Sequence, residues 1–489
     1  MVAKVAGFWR AVGASLAAAA LASCAHDGGR VGEAQEPPMP QRFLLNNDGT
    51  NLFWRDDLSM ELVAQHVDEC PGEVTTYLLC PNGIQTMMYP SALEAVSPHE
   101  ALRRLVDAGE DPFGAFLARA KQRGFETFVT FRMNEVHCVD TPADPRLSAF
   151  WREHPEYRVE RGNRPGDWMS QALDYSLAPV REYVLGLLVE IVERYDVDGI
   201  ELDWMRFPRH LSGDAEEVWA KRVYLTEFVA AVREAAQAGA RPLRVAVRIP
   251  TSLAGWRKLG VDVEEWNRRG LIDFITLAAF LSSDFWMPID EVRAALSDRP
   301  VPIYACIEFG FGGWGEQRSH TERSIRSAAM GLYDCGADGV YVFNFPCWRE
   351  YQADPPYHWL PQLSDPDLLK GRPLLFPLIT SLHRVAGVDL PAPLPAEIAG
   401  NAARTFSLEV PATAVAPGKP PTRARLRIAP GAGLDAAWNV RSLARLEGSE
   451  GMFAVPVHVL RAGANGITLA NPSPRPVQVT QIDLELDYN

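Results

Sequence analysis

Eight short runs of β-branched and aromatic residues, each followed by a helical pattern, fill residues 42–343 and leave this chain few folds to choose from. The runs are Arg42–Asn46, Val74–Cys80, Phe125–Phe131, Val197–Asp203, Leu243–Ile249, Ile272–Ala278, Val301–Ile307 and Gly339–Phe343. Between them, Pro179–Tyr195 carries Val180, Tyr183, Val184, Leu187, Leu188 and Ile191 at helical spacing, a stripe suited to packing on a sheet. Glu216–Ala236, Glu264–Gly270, Asp290–Leu296 and Thr321–Tyr333 read likewise, and Ser97-Pro98-His99-Glu100 predicts a capping box with Pro at the first helical position. Strand followed by helix, eight times over, predicts an α/β fold closed as a (β/α)8 TIM barrel over residues 41–390. No glycine fingerprint follows the first run, which counts against a dinucleotide-binding open sheet. Two runs open alike, with Asp198-Gly199-Ile200 and Asp338-Gly339-Val340.

The pattern changes toward the C-terminus. A Pro-rich stretch, Leu390–Pro395, reads as a boundary. Beyond it, Arg404–Val410, Arg423–Ile428, Phe453–Leu460 and Val477–Leu486 alternate in polarity between Gly, Pro and Asn turns. Residues 400–489 are therefore expected to form an accessory β-sandwich, with glycan binding and plain packing both open as its role.

At the other end, Lys4 and Arg10 precede an apolar run, Ala11–Leu21, too short to span a bilayer. It ends in Leu21-Ala22-Ser23-Cys24, which resembles the bacterial lipobox. That resemblance implies a lipoprotein signal over residues 1–24, lipidation of Cys24, a flexible tether over 25–40 and, with Ala25 next, an outer-membrane or cell-surface location. The formal charge of −14, with no basic stripe, argues against nucleic acid as a partner. The remaining cysteines, Cys70, Cys80, Cys138, Cys306, Cys335 and Cys347, match no zinc spacing, so neither metal nor organic cofactor is expected. An exported chain can form disulfides, and Cys70–Cys80 is the nearest pair in sequence.

In a β/α barrel the reactive side chains project from the C-terminal ends of the strands. Those ends are polar here: Asn46 and Asp48 on the first strand, then Arg132, Asn134, Glu135 and His137 on the third. The fourth ends in Glu201, Asp203, Trp204 and Arg206; the later ones offer Arg248, Asp284 with Trp286, Glu308 and Asn344. The run from His154-Pro155-Glu156 through Asp198-Gly199-Ile200 to Asp203 and Phe207-Pro208 resembles the glycoside hydrolase-like family 10 domain. The resemblance implies a glycosidase acting on an extracellular or envelope polysaccharide, with Asp203 as the strand-four aspartate. Strands one and three depart from the usual members, which points to a divergent branch with its own substrate. Met205 stands where chitinase-like barrels carry their catalytic Glu.

Glycoside cleavage needs two carboxyl groups across the scissile bond. Asp203 is expected as general acid/base and Glu308 as the opposite carboxylate, with Glu201 and Glu135 in reserve. The bland alternative for each is a rim ion pair with Arg132, Arg206 or Arg248. Two other functions stay open: a catalytically silent glycan-binding lipoprotein, and a lyase using His137 or Glu135 as base. Trp54, Trp204, Trp286, Trp314 and Trp348 are the aromatic candidates for sugar contact.

Overall fold

The computed structural model describes residues 42–160, 168–239, 241–312, 318–379 and 393–489. The leader, the tether and Cys24 lie outside these residues, as does Trp314.

Eight strands close into a barrel: β1 (Leu44–Asn47), β2 (Thr76–Leu79), β3 (Glu126–Arg132), β4 (Gly199–Asp203), β5 (Arg244–Pro250), β6 (Phe274–Ala278), β7 (Ile303–Ile307) and β8 (Gly339–Val342). Every neighbouring pair is parallel, and β8 returns to β1 through Leu44↔Tyr341 and Leu45↔Val342. Each strand falls on its sequence run, with β1, β3 and β5 ending one residue beyond it. Alternation along the strands stacks the interior in layers. Near the N-terminal face Phe274 packs between Phe128 and Tyr304, with the Arg42 guanidinium 5.0 Å from its ring centre. Thr130, Glu201 and Tyr341 form the middle. Arg132, Asp203 and Arg248, consecutive in register across β3, β4 and β5, open the mouth.

The repeated Asp-Gly pairs belong to the floor. Asp198 accepts the backbone N–H of Thr127 at 2.9 Å and Asp338 that of Ile303 at 2.8 Å, so each carboxylate binds the edge of a neighbouring strand. The glycine beside each keeps space for a neighbour: a Cβ on Gly199 would sit 2.2 Å from the Phe128 ring, and one on Gly339 2.2 Å from the Arg42 carbonyl oxygen.

Two expectations about local structure need correction. The helix Glu100–Asp107 starts after His99, which makes no side-chain cap. Ser97 instead gives its N–H to the Met87 carbonyl and leaves its hydroxyl without a partner. The ladder contact holds the chain extended there and takes Ser97 out of reach of the helix. All six described cysteines are free, so Cys70–Cys80 is not a disulfide.

The C-terminal part is built of antiparallel sheets, chiefly one of five strands and one of four. Leu374–Pro377, which lies before the expected boundary at 390, pairs with Gln481–Asp487 and so belongs to the five-stranded sheet. That sheet packs on the barrel helix Glu322–Asp334.

Candidate active site

Two arginines organise the mouth. Arg248 lies at the end of β5 with its guanidinium 4.0 Å from the centre of the Phe343 ring. Its Nη1 donates to both oxygens of Asp203, at 3.0 and 3.2 Å, and its Nη2 donates to Glu308. Asp203 also accepts the backbone N–H groups of Met205 at 2.9 Å and Arg206 at 3.0 Å. Asp203 and Glu308 are 1% and 4% exposed, so the pair is covered in this conformation. Below them Glu201 is fully buried and accepts from Thr130 at 2.7 Å and Tyr341 at 2.8 Å, while its second oxygen has no partner.

Three buried carboxyl groups thus crowd one buried guanidinium. Burial pushes Glu308 up to about 7, the nearby charge of Asp203 adding to the effect and Arg248 opposing it. Burial also pushes Glu201 up to about 7, reinforced by Asp203. At neutral pH the two glutamates therefore stand close to half-protonated beside Arg248.

The second arginine, Arg132, donates Nη2 to Asp48 at 2.8 Å and Nη1 to Glu135 at 2.8 Å. Asp48 is further held by Asn344 at 2.8 Å, and the Asn46 amide oxygen accepts the Asn344 N–H at 3.4 Å. Burial alone would raise Asp48, yet Arg132 keeps it below the usual carboxylate range. Glu135 is likewise lowered against its burial, by His137 and Arg132. Glu350, unexpected from sequence, joins this cluster and is raised by burial and by Asp48. Ligand atoms of Asp48, Cys347 and Glu350 lie within 4.8 Å of one another. Arg132 already supplies Asp48 with its counter-cation, and we assign no metal there.

Several expected contacts fall elsewhere. Trp204 is 0% exposed and packs among Tyr175, His210, Phe228 and Trp266, so it is a core residue. Asn134 ties loops together, donating to the carbonyls of Leu173 and Arg209 at 3.2 and 2.8 Å. Trp286 lies beside Gly331 of the helix Glu322–Asp334, and Asp284 accepts its backbone N–H at 3.2 Å. Trp54 stacks on His99, with ring centres 4.7 Å apart. Arg206 reaches the His137 Nε2 at 3.2 Å and covers Phe207 at 4.7 Å, leaving its Nε and Nη1 without partners.

Aromatic rings do gather at the rim, though mostly not the tryptophans singled out. Phe309, directly after Glu308, stacks on Tyr351 at 4.9 Å and meets Trp348 at 4.7 Å. Tyr351 is 67% exposed, unusual for a large ring. Phe309 could have been found from its place beside Glu308; its pairing with Tyr351 joins two loops and has no local signal.

The Asp-Gly-Ile strand, with Asp203 at its mouth end, lies within the segment that decides the family resemblance. Residues 73–219 match the family described as Glycosyl hydrolase-like 10. The match covers under a third of the chain, holds Asp203 and leaves out Glu308. It also starts upstream of the sequence resemblance, taking in the polar end of β3. No curated protein matches the chain by sequence. Among solved structures it is similar to the PgaB (BpsB) glycoside hydrolase domain from Bordetella bronchiseptica, at 12% identity over 67% of this chain and 99% of that one, with a TM-score of 0.47. It is also similar to an alpha-L-fucosidase, isoenzyme 2, from Paenibacillus thiaminolyticus, at 14% identity over 67% of this chain and 49% of that one, TM-score 0.43. A third is the GH36 alpha-galactosidase AgaA from Geobacillus stearothermophilus, at 13% identity over 92% of this chain and 56% of that one, TM-score 0.41. The chain spans about half the length of these last two.

Proposed function

We propose that this Glycosyl hydrolase-like 10 chain hydrolyses glycosidic bonds in a polysaccharide, with Asp203 and Glu308 as its two carboxyl groups. The observation that carries the reading is their joint engagement by Arg248 at the C-terminal mouth of the barrel, beside an exposed aromatic platform. Paired carboxyls with different environments divide acid from base. Asp203 only accepts hydrogen bonds, from one guanidinium and two backbone N–H groups, as a carboxylate anion does. Glu308, pushed up to about 7, keeps a proton to give. We therefore assign Glu308 as general acid and Asp203 as nucleophile or base, the reverse of the roles expected from the sequence.

In this reaction Glu308 protonates the departing glycosidic oxygen as Asp203 bonds to the anomeric carbon, and water then displaces Asp203 from that carbon while giving its proton back to Glu308. A separation of about 5–5.5 Å between the carboxyls gives retention and about 6.5–9.5 Å inversion. Both carboxyls accept from the two terminal nitrogens of one planar fork, which favours the shorter separation and hence a covalent intermediate on Asp203. Phe309, Tyr351 and Trp348 offer faces for the C–H surfaces of a sugar ring. Entry requires the rim to part, and Arg206, with two donors unused, is the cation placed to move.

The division of roles is tested with aryl glycosides. Glu308→Gln should still release a burst of nitrophenol, whose departure needs no protonation, then turn over slowly unless added azide replaces the water that has lost its base, and should lose activity on a natural glycan. Asp203→Asn should lose both; survival of either activity in Asp203→Asn would remove that residue from the chemistry.

A second reading, a silent glycan receptor, is favoured by the same ion pairs, since buried Arg-carboxylate bridges also serve structure alone. For localisation we propose export and tethering through a lipid on Cys24. Mass spectrometry of the membrane fraction tests this: a diacylglyceryl-modified N-terminal peptide is expected, and an unmodified Cys24 there refutes the anchor.

A further inference from the structure

Glu308 is held from behind by a chain of contacts that leaves the barrel. Its backbone N–H donates to the Ser283 hydroxyl at 2.9 Å. That hydroxyl lies 2.7 Å from His320 Nε2 and 3.2 Å from the Glu308 carbonyl oxygen. His320 is buried between Phe285 and Phe311, its other nitrogen 3.1 Å from the Ser324 hydroxyl. Burial drops His320 to about 3, so it stays neutral and serves as a fixed hydrogen-bonding spacer. Ser283 is tied in by its own N–H to the Gly310 carbonyl at 2.7 Å.

The next link crosses to the other sheet. Gly310–Phe311 and Arg318–Ser319 pair as two short antiparallel strands, Phe311 opposite Arg318. Arg318 lies over Phe311 and gives both terminal nitrogens to Asp483, at 2.9 and 2.7 Å. Asp483 sits inside the five-stranded sheet, opposite Pro377 on one side and Arg427 on the other, and is 1% exposed. A bidentate guanidinium–carboxylate pair fixes both distance and orientation. Its carboxylate side is rigid because the sheet surrounds it.

We infer that the C-terminal sheet is a strut for the active site, and that Asp483, Arg318, His320 and Ser283 are positioning residues that set where the Glu308 carboxyl stands. The inference rests on the hydrolase reading for its catalytic consequence only; the positioning itself is a property of the fold. Glu308 is faced by Arg248 from β5, Asp203 and Arg206 from the end of β4, and Cys306 from its own strand. A small displacement alters its distance from each of these and so its proton affinity. Catalysis is sensitive to shifts of about 1 Å, which can cost about a hundredfold.

The experiment compares Arg318→Gln, Asp483→Asn, their double variant and Arg318→Lys, with exposed Arg404→Gln as control, in the full chain. Carboxyl carbon-13 NMR, with the Glu308 signal assigned by its loss in Glu308→Gln, reads the proton affinity without any substrate. We expect each single variant to move the Glu308 midpoint, the double variant to move it no further, and Arg318→Lys to restore part of the shift. Turnover should fall about tenfold or more with KM little changed. An unmoved Glu308 midpoint in folded Arg318→Gln and Asp483→Asn, or equal shifts in the control, overturns the inference. A wild type without turnover but with these shifts would refute the hydrolase reading and leave the strut standing.

Discussion

Around Arg248 the competition is between desolvation and charge pairing, and desolvation pushes two of the three carboxyls up to about 7. Removing the guanidinium should therefore be costly: Arg248→Met leaves Asp203 buried without its counter-ion, a loss of about 3–5 kcal/mol that urea unfolding at pH 7 would measure. The glutamates act in the opposite sense. Glu201 and Glu308 stand near 7 when folded against an ordinary 4.5, so the native state keeps protons that the unfolded chain releases. Their protonated forms are favourable below about 4.5, and stability falls as pH rises from there through about 7. Thermal unfolding should show this slope in the wild type and a flatter one in Glu201→Gln; an identical slope would mean Glu201 titrates normally. The inward positions of Asp203, Arg248 and Glu308 were readable from strand alternation. The same alternation accounts for Trp204: one residue past Asp203, it turns to the helix side and joins the core. Glu350 and Tyr351 were not readable, because only the closed barrel brings the loop after β8 against β1 and Phe309.

Elements in this fold are stopped and aligned by short-range chemistry that sequence shows well. Thr321 caps the helix Glu322–Asp334 through the Ser324 N–H at 3.2 Å, and Ser324 returns the bond to the Thr321 N–H. Thr321→Ala should cost about 1 kcal/mol. The Asp-Gly pairs look like motif chemistry in sequence, yet Asp198 and Asp338 brace strand edges at the floor, far from the mouth. Gly339→Ala, whose Cβ would meet the Arg42 carbonyl, should lower the melting temperature measurably by scanning calorimetry; an unchanged value would show that the floor yields freely. The Ser97 capping box failed because a box seen in four residues says nothing about a ladder contact to Met87 made from elsewhere.

At the scale of the whole molecule, barrel and sheets share one continuous hydrophobic core, and Arg318–Asp483 and Arg323–Asp487 add ion pairs across their junction. Sequence predicted both parts but drew the boundary late, since Leu374–Pro377 shows its allegiance only through pairing with the last strand. The acidic chain carries its carboxylates into the mouth itself, and whether they do chemistry there decides what the protein is. Reducing-end release from a panel of polysaccharides, comparing wild type with Asp203→Asn and Glu308→Gln, tests that directly. Hydrolysis by the carboxyl pair predicts release from at least one glycan and its loss in both variants. Binding to a glycan with no release by the wild type, or release undiminished in both variants, would contradict it.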